Sequence, residues 1–186
     1  ERHEICPVVS YDGSLLFFTR IGDPNCEKTL IVDGVDVYLT LDKDDFESRL
    51  KDVYTQIASA KVENPLASSY NQDIWYTRLI NKRESGIFHP GYPINDALPN
   101  SICSNYGING AYLVVNQFSI TGGIDRGFSV TQKTNDEFTF PEPVTILNFN
   151  KSSAEVNVTA SRDSSVLILS MNEVNGKGNM DLYVCY

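Results

Sequence analysis

Four aspartates, Asp12, Asp73, Asp163 and Asp181, are the carboxylates that first suggest acid–base chemistry, each standing at the start of an apolar run. A carboxylate pair that cleaves a glycosidic bond needs two unequal jobs and a separation of about 5 to 9 Å. These four instead recur at matching places of a repeated pattern, which predicts a shared structural task, since an aspartate at a turn accepts bonds from nearby backbone amides. The only imidazoles are His3 and His89. The first lies near a chain end and the second in a Pro–Gly loop, so a nucleophile–His–Asp set requires contact between distant segments. No G-x-S-x-G elbow, P-loop or H-E-x-x-H motif occurs. No catalytic residue is expected, and the chain reads as a non-enzyme.

Metal and redox chemistry fare no better. Cys6, Cys26, Cys103 and Cys185 lack the paired spacing of a zinc site. They are structural thiols, or two of them pair, in which case Cys6 and Cys26 are nearest in sequence; pairing requires Cα atoms within about 7 Å. Gly122-Gly123-Ile124-Asp125 and Asp33-Gly34-Val35-Asp36 set acids beside glycines, yet fall short of the ligand count of a calcium loop and read as turns. Neither cofactor nor metal is expected. Trp75, the single tryptophan, either packs between sheets or forms an exposed ligand platform. With Phe88, Tyr92 and Phe118 it belongs to a set of interface candidates, because aromatic side chains are enriched where proteins meet.

The chain carries a net charge of -9 with its acids spread along it. That argues against a nucleic-acid surface, which needs a concentrated basic patch, and only short mixed runs such as Lys82-Arg83 are present. No run of about 18 apolar residues exists, so no membrane-spanning helix is expected. Glu1 reads as an internal start, a processed terminus or a boundary in a longer parent. Ten Tyr, nine Phe and many β-branched residues tilt the expectation toward sheet.

The elements that would hold these residues repeat. Val9-Ser10-Tyr11-Asp12-Gly13-Ser14-Leu15-Leu16-Phe17-Phe18 aligns with Tyr106 to Val115 and with Ala160 to Leu169. Asp-Gly, Asn-Gly and Asp-Ser fall together and suit the positive φ of a two-residue hairpin loop. The apolar strand that follows lacks polar alternation and is expected to be buried on both faces. A third strand recurs at Asp73 to Thr77, Arg126 to Val130 and Asp181 to Cys185, at intervals of about 53 and 55 residues. Outer strands are expected at Ile87-Phe88 and Phe138-Thr139-Phe140, where following prolines mark an edge.

The first copy has about 43 residues more than the others between its hairpin and its third strand, in an insertion at about 22–70. Phe46, Leu50, Val53, Tyr54 and Ile57 form one apolar helix face, with Asp42 as N-cap and Asp45 three residues on. The helix is expected over about 44–61, ending by Asn64-Pro65, and its Phe46, Leu50, Val53 and Ile57 face completes the interface candidates. Asp36 to Thr40 mimics the third-strand motif and suggests an extra strand.

Pro7 to Gly13 followed by Leu15 to Arg20, then Asp73-Ile74-Trp75-Tyr76, resembles the WD40-like repeat of TolB-type β-propellers, especially those of the Bacteroidetes cell envelope. Asn179 to Val184 and Phe138 to Pro143 look like further parts of that pattern. The resemblance implies an all-β fold of about three four-stranded blades, an incomplete or open propeller with one helical insertion, in a single domain: repeats at about 5–98, 102–150 and 154–186, the last incomplete. It implies a protein–protein scaffold in the periplasm or at the outer membrane, in a secretion, gliding or outer-membrane complex, with peptidoglycan reached through other modules of a longer parent. A carbohydrate-binding or glycoside-cleaving propeller is the alternative. Three departures stand out: the insertion, the Gly-Ile-Asn-Gly second turn, and three blades where that family has five or six. A fourth strand for the last copy is expected from a continuing chain, from a partner, or from the segment Glu1 to Ile5.

Overall fold

In the computed structural model residues 3–80, 83–150, 156–173 and 176–186 are described, so Lys82 lies outside the described residues. Alternating apolar strands separated by Gly/Asp/Asn turns produce three antiparallel sheets in chain order. The first has the order β1-β2-β5-β6, built from β1 (His3–Val9), β2 (Leu15–Ile21), β5 (Gln72–Ile80) and β6 (Arg83–Phe88). Between β2 and β5 the insertion supplies a short hairpin, β3 (Ile31–Val32) and β4 (Val35–Asp36), a 3-10 turn at Val37–Leu39, and an α-helix, α1 (Lys43–Ala58). The second sheet runs β7 (Ile102–Asn105), β8 (Ala111–Phe118), β9 (Ile124–Thr134) and β10 (Glu137–Phe138), with β11 (Glu142–Val144) also on β9. The third is β12 (Val156–Ala160), β13 (Leu167–Met171) and β14 (Asp181–Cys185). Among the described residues the protein is therefore mainly β with one α-helix, and its sheets form no closed barrel.

Three apolar clusters hold these pieces together. Phe17, Ile74 and Tyr76 of the first sheet pack against Tyr112, Val114 and Phe138 of the second. Leu113 and Phe128, on the opposite face of the second sheet, pack against Val158, Leu167 and Leu169 of the third. The third cluster joins α1 to Leu30, Ala97 and Leu98. Polar bonds tie the opening strands together: Asn105 Nδ2 donates to the Val9 carbonyl at 2.8 Å, and the Ala160 amide donates to Ser104 Oγ at 3.0 Å.

The hairpins form where the repeat places them, with three differences. Each loop has four residues between its closing pair, not two: Ser10 and Leu15, Tyr106 and Ala111, Ser161 and Val166. In the first and third loops an aspartate accepts from the serines around it, and the third loop residue, Gly13 or Ser164, takes a positive φ. The second loop places positive φ at its first and last residues, Gly107 and Gly110. Its closing pair shows that the second copy aligns one residue earlier than the sequence pattern suggests. Strand pairings agree: Phe17 with Tyr76, Leu113 with Val130, and Ile168 with Val184 occupy equivalent positions. Burial on both faces holds for β8, whereas β13 alternates because among the described residues nothing covers its far side.

The helix starts as its cap predicts, the Asp42 side chain accepting from the Asp45 amide at 2.9 Å. It ends at Ser59, in the left-handed conformation, before Asn64-Pro65. Of the run Asp36 to Thr40 only Asp36 lies in a strand, at the end of β4; its Oδ1 accepts from the Leu30 and Tyr38 amides and winds the following residues into the 3-10 turn. The outer strand of the second sheet is split in two, with Phe138 in β10 and Pro143 in β11 at the edge. His3–Val9 pairs with β2, so its residues do not complete the third sheet. No described helix is long and apolar enough to cross a membrane.

Candidate functional site

A close set of ionisable and aromatic side chains lies where the insertion meets the first sheet. β2 and β5 pair so that Arg20 lies opposite Asp73 and Phe18 opposite Trp75, placing all four on one face. Just past β6, His89 folds onto that face. Its Nε2 lies 2.7 Å from Asp73 Oδ2, and its ring stacks on Trp75 at 4.4 Å. The Arg20 guanidinium lies 4.4 Å from the Trp75 ring and is held by Glu4, Nε to Oε1 at 3.0 Å, with Asp23 at 3.6 Å. The Glu27 amide donates to Asp73 Oδ2 at 2.6 Å, which pins the insertion to the sheet. Asn95 adds a second clip: its side chain accepts from the Ile74 amide and donates to the Ile74 carbonyl, as a neighbouring strand would.

Burial governs the electrostatics. Desolvation raises the Asp73 carboxyl, opposed by the His89 and Glu27 bonds. Desolvation likewise raises Asp96 to about 6, against bonds from Asn100 and the Leu98 amide. The Cys26 thiol is pushed up to about 11 by burial and by Asp73, so it is protonated at neutral pH and a poor nucleophile. An aspartate bonded to an imidazole is the orienting half of a hydrolytic triad. Among the described residues, however, His89 makes no bond to a hydroxyl or thiol. Chemically the arrangement works as a clamp, in which a buried carboxylate gathers an imidazole and a backbone amide from two separate loops.

Asp73 and His89 were both singled out from sequence, but their contact was not, because a loop of unknown path separates them. Asp12 and Asp163 bond their own turns, and Asp163 is drawn down to about 2 by Ser161 and Ser165. Trp75 is 9% exposed, with His89 and Arg20 against its ring, so it packs and offers no open platform. Phe46 and Leu50 are buried against the chain's own Leu30, Ala97 and Leu98, with Val53 and Ile57 at the margin of that cluster. Phe118 is buried in the first cluster, while Phe88 is half-buried against Tyr76. Tyr92 remains exposed.

All four cysteines are free thiols, so the Cys6–Cys26 pair does not form. Among the described residues no group of three or more metal-ligating side chains comes together. The chain matches no protein-family model, no curated protein and no solved structure.

Proposed function

We propose that this chain is a non-enzymatic protein–protein interaction scaffold, built from propeller-type blades and working at the bacterial cell envelope as its sequence resemblance implies. The observation that carries this is the way the insertion is fixed and what it displays. The Gly34 amide donates to the Thr121 carbonyl at 2.9 Å and Val32 bridges Gly122, so the β3–β4 hairpin is locked to the β8–β9 loop. Val35 and Ile120, beside that junction, and Leu39, on the 3-10 turn, are left exposed. Apolar side chains held on a rigid frame suit recognition by another protein, because little freedom is lost when they are covered. Pull-down of the native protein from detergent-solubilised envelope, beside Leu39→Asp and Ile120→Asp, tests this. A protein retained by the native chain and lost by variants of unchanged melting temperature is expected; equal retention sinks the assignment to this edge.

A second reading, carbohydrate binding or cleavage, draws on Asp73, Glu27 and Asp96, which lie within electrostatic reach of one another, with Trp75 alongside Asp73. Under that reading Asp73→Asn abolishes saccharide binding measured by calorimetry. Under the scaffold reading no saccharide binds and the substitution changes stability alone.

A further inference from the structure

Equivalent strand positions in the three sheets disclose an interface that the chain leaves half made. Phe17 and its partner Tyr76, with Ile74 nearby, form the face of the first sheet that packs on the second. The same positions in the second sheet are Leu113, Val130 and Phe128, and they pack on the third. In the third sheet they are Ile168, Val184 and Leu182. These three are as apolar as their counterparts, yet they are 42%, 51% and 74% exposed. A face built for sheet packing twice over thus recurs a third time, uncovered among the described residues.

What covers this face in the two made interfaces is also visible. The second sheet receives with the row through Tyr112, the third with the row through Leu167, flanked by Ala160 and Cys185. The equivalent row of the first sheet runs across all four strands as Val9, Leu16, Thr77 and Ile87, with Phe18 in the adjacent row. Val9 and Ile87 are half exposed, and Leu16 and Phe18 are only partly covered. Thr77, within the same row, is only 2% exposed, so one chain carries an uncovered donating face and a receiving face of the same repeated interface that is open at its outer strands.

We infer that a second copy of this chain docks head to tail, the Ile168–Leu182–Val184 face of one copy seated on the Val9–Leu16–Ile87 face of the other. Such a contact joins two different patches and so either closes into a ring or propagates. It continues the packing of Leu113 and Phe128 on Leu167 and Leu169, with the same residue classes in the same register.

The inference stands apart from the scaffold reading and its Leu39 edge, and it is tested on the purified protein with no added component. Sedimentation is followed over a wide range of concentration for the native chain, for Leu182→Glu, which blocks donation, and for Ile87→Glu, which blocks reception. Both side chains are solvent-exposed, and matched melting curves establish that the variants fold. The native chain is expected to associate and each variant alone to sediment as one copy. An equimolar mixture of the two variants is expected to regain a two-copy species, because it retains one intact donor and one intact receiver. A native chain that stays single at every concentration overturns the proposal. So does association that Ile87→Glu leaves unchanged, or a mixture of variants that fails to pair, since either means that the third sheet meets something other than the first.

Discussion

Asp12 lies at the tip of the first hairpin, where its carboxylate accepts from the Ser14 amide at 3.0 Å and from the Ser10 and Ser14 hydroxyls, and these bonds lower its pKa. Asp12→Ala is expected to cost at most about 1 kcal/mol, because the turn is solvent-exposed and water replaces part of what is lost. Calorimetric melting checks this, and a loss of several times that size would mean that the turn nucleates more than its own hairpin. Asp96 works in the opposite sense. Its folded pKa of about 6 lies above its ordinary 3.8, so its favourable contribution is complete below pH 4 and disappears as pH rises through 6. Asp96→Asn, which keeps an acceptor for the Leu98 amide, is expected to flatten stability between pH 4 and 6. At pH 7 it should gain on the order of 1 kcal/mol, discounted because the residue keeps some contact with solvent. Denaturant titrations at several pH values decide it; an unchanged slope would mean that the carboxyl is not desolvated.

At the scale of elements, α1 is stabilised by the cluster it docks into more than by its own composition. Leu50 is 2% exposed, and the Tyr54 hydroxyl donates to the Ala97 carbonyl at 2.7 Å. Leu50→Ala should cost about 2 to 5 kcal/mol through lost transfer energy and an unfilled cavity. Hydrogen exchange should then rise through Lys43–Ala58 before it rises in β2 and β5; simultaneous loss would show that helix and sheet unfold as one unit. Gly122, at φ +107, faces the β3 backbone so closely that an added Cβ would stand 2.0 Å from the Ile31 carbonyl oxygen. Gly122→Ala is therefore expected to unhook the β3–β4 hairpin from the β8–β9 loop, seen as faster amide exchange at Gly34. Retained protection there would mean that the loop can shift without releasing the hairpin.

For the whole molecule, protection should fall from the second sheet to the third. The middle sheet is packed on both faces, with Leu113 and Val114 both fully buried. The third has three strands, one open face and an unpaired edge along β14 among the described residues. Amides of β12–β14 are expected to exchange by local opening well below the global unfolding energy, whereas those of β8 and β9 should need global unfolding. Hydrogen exchange on dilute protein, repeated at high concentration, measures both this gradient and its suppression when the third sheet is covered. Uniform protection in dilute solution would show that the three sheets form one cooperative block.

Local chemistry was legible wherever a few neighbouring residues decide the outcome. Asp42 capped the helix because its carboxylate meets an amide three residues on, and the hairpins fell at Asp12, Asn109 and Asp163 because the strands on either side are apolar and the residues between them are not. The register of the second loop was not legible, since the Asn-Gly pair suggests a two-residue turn, whereas Gly107 and Gly110 both take positive φ in a four-residue loop closed by Tyr106 and Ala111. The same limit explains Asp36, whose strand-like neighbours were overruled by its bond to the Leu30 amide, and His89, whose meeting with Asp73 depends on a loop path. Apolar type at Ile168, Leu182 and Val184 was evident from sequence. That these positions are uncovered while Phe17, Leu113 and their partners are not is decided by how the sheets stack, because burial belongs to the neighbours a side chain acquires and not to the side chain itself.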